Sequence, residues 1–473
     1  MIDPCDIVIL GAGPAGANAS LSAARAGARV TLLDEQTQPG GQIWRAKSAA
    51  IIKAQPTPES DAGNTLRDCL ANSAVTFVGD VRVWQIERTG DIWQVYTVAD
   101  GQPGKIEAKA LILATGAREY VQPIPGWTTP GVIGLAGATA LLKHDMTPPG
   151  AATVVAGTGP LVFFTASEIR RLGGHVAAIV TPNTRRDWLS VMPAMLSRPD
   201  LVRRGLAWIA NLTLARVPVL WGHAITRVEG ARAVNGVVAT KLDASGAPKG
   251  KKREIAADSV CLGNGLIPAV EAAQLAGADL RYHPELGGWV PGAMTDGSTK
   301  IKGLYICGDG AGIRGAAAAE IQGKLAGMVA ANQLGFDLAP DFEALKSAHA
   351  RAARFGLAMT ALSLQKPGDQ ALTTPETILC RCESLSLARI TAEIAKGAES
   401  INAIKSGTRA GMGACGGKFC HTAVARMMAA SQGVDPADIP PPTARPPLRP
   451  VPASVFAEGF DYDDLPISKP APL

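Results

Sequence analysis

The sequence predicts an α/β chain. Two Rossmann-type βαβ units form its body, and a smaller helical unit carrying four cysteines closes it. Three observations predict this. Residues 6–35 read DIVILGAGPAGANASLSAARAGARVTLLDE, residues 153–180 read TVVAGTGPLVFFTASEIRRLGGHVAAIV, and CRCE at 380–383 is answered by GMGACGGKFC at 411–420. The 473 residues suffice for two to four domains. A hydrophobic content of 47% with 18% charged residues is that of an ordinary globular protein. The net charge of +5 comes from scattered Lys and Arg, so a nucleic-acid role gets no support. No uncharged apolar run reaches the roughly 18 residues of a membrane span.

In the first unit, DIVIL is an apolar strand, and Gly11, Gly13 and Gly16 follow it with GxGxxG spacing. ANASLSAARAG has helical character and RVTLLDE is a second strand. The glycines let the backbone turn tightly and approach a pyrophosphate, while the helix N-terminus supplies aligned N–H dipoles. Asp34 ends the second strand, where a carboxylate can accept hydrogen bonds from a ribose. A dinucleotide site is expected here. Because the first strand begins at Asp6, a signal or transit segment is not expected.

The second unit repeats the pattern imperfectly. Gly157 and Gly159 are present, but Val162 stands at the third position, where a glycine would allow close helix–strand packing. Its second strand ends at Val180–Thr181 without a carboxylate. Arg185 and Arg186 follow, either as contacts to a 2′-phosphate or as solvated helix-start residues. The expectation is a scaffold domain rather than a working nicotinamide site. The helical stretch RRDWLSVMPAMLSRPDLVRRGLAWIANL carries a Trp, Met and Leu stripe, read as core.

Of eight cysteines, Cys5, Cys69, Cys261 and Cys307 are scattered in settings that suggest buried free thiols. Cys307 stands alone, without the CxxC or CxxxxC partner that thiol–disulfide chemistry needs. The other four are Cys380-x-Cys382 and, 32 residues on, Cys415-x4-Cys420. In a chain without a secretion signal such pairs suggest a metal or cluster site and a reducing cytoplasm. CxC is tight for two vertices of one zinc ion, whereas a two-iron cluster can divide its ligands. SLSLARITAEIAKG, capped by Ser384 or Ser386, and HTAVARMMAASQG read as helices following each pair, and helix N-termini stabilise an anionic group. A [2Fe-2S] cluster is expected, with zinc and free thiols as the alternatives.

Beyond Asp34 come PGGQIWR at 39–45, LILATGARE at 111–119 and GLYICGDGAG at 303–312. With the first glycine motif, these resemble the two-dinucleotide-binding-domain flavoproteins. The resemblance implies FAD held by Gly11, Gly13, Pro14, Ala15, Gly16, Asp34 and Glu35, with Gly41, Gln42 and Arg45 along its path. It implies Val81 at the adenine through its backbone, Thr115–Gly116 at the crossover strand's end, and Gly308–Asp309 at the ribityl-pyrophosphate region. Asp309 also reads as a turn or cap residue. The stretch from CRCE to SGTRAGMGACGGKFC resembles bacterioferritin-associated-ferredoxin-like domains, which implies Cys380, Cys382, Cys415 and Cys420 as [2Fe-2S] ligands.

The combination resembles the A or α subunits of opine oxidases, with hydrogen cyanide synthase and proline or hydroxyproline dehydrogenase subunits as relatives. It implies a hetero-oligomer in which a flavin-containing β subunit oxidises a C–N bond and this chain carries the electrons to an acceptor. An FMN at the interface between subunits and a small third subunit belong to the same implication, and nothing in the sequence places either. No acid–base pair or nucleophile for substrate chemistry stands out, and His144, His175, His223, His283 and His349 are isolated. A stand-alone NAD(P)H:acceptor reductase is the alternative, and Val162 counts against it. The expected organisation is an FAD domain at 1–124 and 266–345, an inserted Rossmann-like domain at 125–265, a helical linker at 346–375, the cluster domain at 376–432 and a proline-rich arm at 433–473. The arm is read either as a disordered end or as a segment laid over this chain or a partner.

Overall fold

A computed structural model describes residues 4–457. Strand Cys5–Leu10 and helix Pro14–Arg25 follow the first glycine motif as expected, and strand Val30–Leu33 returns parallel to the first. The parallel sheet runs in the order Thr76–Val78, Val30–Leu33, Cys5–Leu10, Gln102–Leu113 and Leu304–Ile306. The twelve-residue strand Gln102–Leu113 serves two layers. Its second half lies in the parallel sheet, and its first half pairs antiparallel with Ile92–Ala99, which pairs with Arg82–Thr89. Ile7, Ile9, Leu32 and Ile112 are completely buried between sheet and helices, as parallel strands covered on both faces must be.

Helix Ala316–Gln333 lies across helix Pro14–Arg25 at close range. A side chain at Gly323 would put its Cβ 2.0 Å from the Ala15 carbonyl oxygen, and one at Gly327 would come 2.2 Å from that of Ala19. The glycine turn is therefore clamped between a sheet below and a second helix beside it.

The second unit rebuilds the same plan. Val219–Trp221, His175–Thr181, Ala152–Gly157, Ser259–Gly263 and Val132–Gly134 form a parallel sheet, flanked by an antiparallel meander of His223–Glu229, Gly236–Leu242 and Pro248–Ala256. A two-stranded crossover, Ala117–Glu119 with Leu266–Pro268, joins the two bodies. Val162 is completely buried in the second core, so a valine side chain occupies the space a glycine would leave.

The expected single helical stretch after Thr181 is two helices, Arg185–Met195 and Pro199–Leu214. Its stripe is only partly core. Met195 and Leu212 are buried, Trp188 packs edge-on against Phe163, and Trp208 packs against Phe164. Leu189, Leu196, Leu206 and Leu214 are exposed. Cys69 likewise departs from expectation: it is exposed on helix Pro58–Ala71, while Cys5, Cys261 and Cys307 are buried as expected.

The two bodies are pinned together at loop 42–46 and at helix Pro58–Ala71. Lys143 donates to the Ile43 carbonyl at 2.9 Å, His144 Nδ1 meets the Ala46 carbonyl at 2.8 Å, and Arg204 pairs with Glu59 at 3.0 Å. Burial pushes Lys143 down to about 8. An unfolded lysine titrates near ~10.4, so between these values the unfolded chain holds a proton that the folded chain lacks. Stability should therefore rise with pH across that window. Lys143→Met should flatten the rise in melting temperature between pH 8 and 10, and an unchanged slope would assign it to other groups.

After helix Phe342–Ala361 the chain runs through residues 362–366 and a 3₁₀ turn, Pro367–Leu372, into the C-terminal unit. There strand Ile378–Cys380, helix Leu387–Ala395, helix Ile401–Thr408 and helix His421–Gln432 surround buried Ile390, Ile404, Val424 and Met428. Ser386 is the cap of the first of these helices. Helix Ile401–Thr408 is the one the sequence pattern did not announce. The arm does not leave the body: Leu448 packs against a core cluster containing Leu10 and Leu33, and Phe456 meets the Trp84 ring. Its residues 458–473 lie outside the described part. No described helix is long and apolar enough to cross a membrane.

Candidate functional site

Two sites converge on the crossover strand. The first is the turn Gly11–Gly16. Gly16 cannot carry a side chain, because its Cβ would lie 1.8 Å from the Gly11 carbonyl oxygen. Gly13 has ordinary backbone angles, φ −72° and ψ −174°. Its Cβ would find nothing nearer than the Gly41 Cα at 3.8 Å, so open space lies in front of it. The Gly13 N–H has no partner among the described residues. Gly116 also faces open space. Arg45 is held by Gln36 and Gln42 at 2.8 Å each, while its Nε is buried without a partner. An open glycine cradle at a helix N-terminus, with a guanidinium beside it whose Nε is unpartnered, fits a pyrophosphate. These residues therefore fit FAD.

Asp34 is turned inward. Its Oδ2 accepts from the Ala12 N–H at 2.6 Å and its Oδ1 from the Gln36 N–H at 2.8 Å, so it shapes the turn. Burial pushes its carboxyl up, against these two bonds. Glu35 is the exposed neighbour. The Val81 N–H is spent on the Asp34 carbonyl at 3.0 Å, leaving the Val81 carbonyl for a ligand. Asp309 is half-buried after strand Leu304–Ile306. Its Oδ1 accepts from the N–H groups of Arg314 and Gly315 at 3.1 Å, which ties its loop to the helix that follows. Burial raises its carboxyl. Gln322 receives the Gly308 N–H at 2.9 Å, and Thr115 donates to the Ala269 carbonyl at 2.8 Å. Cys307 beside them is pushed up to about 12 by burial, as befits an inert thiol.

The second site is the thiol group. The motifs pair crosswise: Cys380 lies beside Cys420 and Cys382 beside Cys415, while the Cys420 thiol donates to the Gly417 carbonyl at 3.9 Å. The first pair is buried, Cys415 is half-buried and Cys382 is exposed. The Cys420 contact and backbone N–H groups of Gly411, Glu383 and Cys382 overcome burial and hold Cys380 down to about 6. Among the described residues no three His, Cys, Asp or Glu side chains converge on a point that one ion could fill. Two pairs of thiols with backbone N–H donors fit two irons rather than one zinc.

Sequence reasoning missed what joins the two sites. Arg118, the middle residue of the crossover strand Ala117–Glu119, pairs with Glu271 at 2.6 Å and donates through Nε to the Lys418 carbonyl at 3.0 Å. Burial pushes Glu271 up, but Arg118 and Lys418 outweigh it and hold it below the usual carboxylate range. Glu119, next in the strand, accepts from the Ala136 N–H at 3.0 Å at the start of helix Leu135–His144. A charged pair inside LILATGARE was the available signal, but its partners lie 153 and 300 residues away.

The second glycine turn is closed by the chain itself. The Gly159 N–H is given to Asn183 Oδ1 at 2.9 Å, Asn183 Nδ2 donates to the Leu362 carbonyl at 2.7 Å, and Thr158 donates to Ser363 Oγ at 2.9 Å. A Cβ on Gly159 would meet Ser363 Oγ at 3.3 Å. Thus the linker lies where a pyrophosphate would approach. A cavity of about 290 Å³ remains beside it, lined by Asn183, Ser190, Gln365, Lys366 and Asp369 among others. Arg185 and Arg186 are exposed at the start of a helix capped by Thr184.

Comparison with known proteins agrees with this geometry. Residues 5–331 match the pyridine nucleotide-disulphide oxidoreductase family, and residues 378–430 match the BFD-like [2Fe-2S] binding domain. The chain is 34% identical over 467 residues to the opine oxidase A subunit of Rhizobium meliloti, covering 96% of this chain and 87% of that protein. It is 28% identical to hydrogen cyanide synthase subunit HcnB of Pseudomonas protegens, covering 95% of this chain and 97% of that one. The solved L-proline dehydrogenase from P. horikoshii superposes with a TM-score of 0.72 at 21% identity, over 96% of this chain and 79% of that one, a likeness of fold.

Proposed function

We propose, from the premise that this chain belongs to the pyridine nucleotide-disulphide oxidoreductase family and groups there with the opine oxidase A subunits, that it is the electron-carrying subunit of a hetero-oligomeric dehydrogenase oxidising a C–N bond in an opine or amino acid. As a member it is an FAD-dependent oxidoreductase with a [2Fe-2S] domain. The substrate site is assigned mainly to a flavin-containing partner subunit. FAD, when bound, takes electrons in pairs and releases them singly, and a [2Fe-2S] cluster takes one at a time.

The observation that carries this reading is the contrast between the two glycine turns. The first is open, and its Gly13 N–H has no partner among the described residues. The second has spent the Gly159 N–H on Asn183 and is roofed by Leu362 and Ser363. A reductase fed by NAD(P)H would need the second turn open. The chain's own residues do the rest. Gly13 and Arg45 would frame the pyrophosphate of a bound FAD. Arg118, Glu271 and Lys418 hold the crossover strand against the cysteine loop. Cys382 lies at the surface, where a partner can approach.

The experiment is purification from the native host with the bound partner, followed by flavin analysis and anaerobic reduction. The chain alone should not oxidise opines or amino acids, and the complex should. NADH and NADPH should leave the flavin of the isolated chain oxidised on the timescale of turnover. Rapid bleaching at micromolar NADH would instead make this chain a stand-alone reductase. Release and identification of FAD and FMN from the complex decides whether an interface FMN and a small third subunit belong to it.

A further inference from the structure

We propose that residues 443–450 are a strap that completes the adenosine side of the FAD site, with Arg449 as the residue that positions Glu35 for the ribose. The proposal rests on reading the Gly11–Gly16 turn as the FAD site.

Four contacts place the strap. Arg449 Nε donates to Glu35 Oε1 at 2.7 Å. Arg82 Nη1 donates to the Pro450 carbonyl at 3.0 Å, and Arg82 directly follows Val81. The Leu448 N–H donates to the Trp84 carbonyl at 2.8 Å, and the Leu448 side chain reaches the core cluster that contains Leu10 and Leu33. The strap therefore runs beside both residues that border the adenosine end, Glu35 and Val81. Asp34 gives one lone pair on each oxygen to a backbone N–H, and Glu35, exposed at the same strand end, adds a second carboxylate within reach of ribose hydroxyls. Arg449 engages one of its oxygens and leaves Oε2 open.

The other end of the strap is tied to the C-terminal unit. Asn402 of that unit donates to Thr443 Oγ1 at 3.0 Å, while the Ala444 N–H donates to Gln274 of the FAD body at 2.6 Å. Lys418 donates to the Leu448 carbonyl at 3.3 Å and to the Cys415 carbonyl at 3.1 Å. One lysine thus holds both the strap and the cysteine loop. The Arg449–Glu35 pair is about two-fifths exposed on each side, so by itself it contributes modestly. The buried leucine and the backbone hydrogen bonds hold the segment, and the arginine aims the carboxylate.

The test is the rate of FAD release from the purified full-length protein, followed by flavin fluorescence on dilution. Arg449→Ala should speed release about two- to fivefold, the range expected of an exposed charged pair, and Arg449→Lys should recover part of it. A chain ending at Pro442 should release FAD faster still. Iron content should not change in Arg449→Ala. Hydrogen exchange at 443–450 in the intact protein should slow when FAD is bound. An unchanged or slower release in Arg449→Ala, even with a lowered melting temperature, overturns the proposal, as does exchange indifferent to FAD. A wild-type chain that never retains FAD would instead overturn the underlying site reading.

Discussion

Cys382→Ser is expected to strip the protein of iron and of its broad visible absorption while the flavin bands persist. The geometry favours this variant over those at Cys380 and Cys420. Cys380 and Cys420 are each 1% exposed and sit within the C-terminal core, so replacing them disturbs packing as well as ligation. Cys382 is exposed and outside that core, so serine there removes a thiolate and little else. The FAD turn has its own core, built on Ile7, Ile9 and Leu32, and does not depend on Cys382. Iron should fall from about two per chain to background, and the reduced protein should lose its paramagnetic signal. Cys69→Ser, at an exposed cysteine remote from the motifs, should keep both. Stoichiometric zinc in carefully prepared wild type would refute the two-iron assignment.

The second large effect is expected at Gly13. Alanine there fits the backbone, and its methyl group meets no protein atom closer than 3.8 Å. The variant should therefore fold like wild type. Its methyl group would nevertheless stand in the open space where a pyrophosphate must approach the turn. FAD content should drop at least tenfold, ~1.4 kcal/mol or more in binding at 25 °C, with no change in far-ultraviolet circular dichroism. Gly16→Ala is the contrasting variant, because its methyl group collides with the Gly11 carbonyl and should damage the fold itself. If Gly13→Ala binds FAD normally, this turn does not hold the pyrophosphate.

Local chemistry was readable in the sequence. Strand, glycine turn, helix and strand follow one another within some thirty residues, and period and turn residues announce them. The same holds for the Ser386 cap and the helix after Cys420. What escaped was long-range. Nothing near Cys380 says that its neighbour is Cys420 rather than Cys382, since that depends on how three helices stack. Nothing near Ser363 says that it will roof a turn 200 residues earlier. Asn183 offered a trace: it stands two residues past a strand end that lacks the usual acid, and it proves to bind its own backbone turn. The leucines of Pro199–Leu214 misled because periodicity reports which residues share a face, not whether that face is covered. For the proline-rich arm the sequence left two readings open, a disordered end or a segment laid over the chain, because composition describes stiffness and not where a segment lies; its described residues take the second.

The crosswise pairing of the cysteines also has a meaning in polymer terms. A rigid group that bridges Cys380 and Cys420 closes a loop of about forty residues, whereas a bridge confined to either motif would close a loop of a few. In the chain-entropy treatment of cross-links, forbidding the open conformations of such a loop raises the free energy of the unfolded ensemble by about 4 kcal/mol at 25 °C. The matched unit, residues 378–430, is too short to bury a core of its own that would easily outweigh its conformational entropy. Its inorganic group then acts as a clasp on the polymer, so iron scarcity would loosen the C-terminal unit as well as remove its electron carrier.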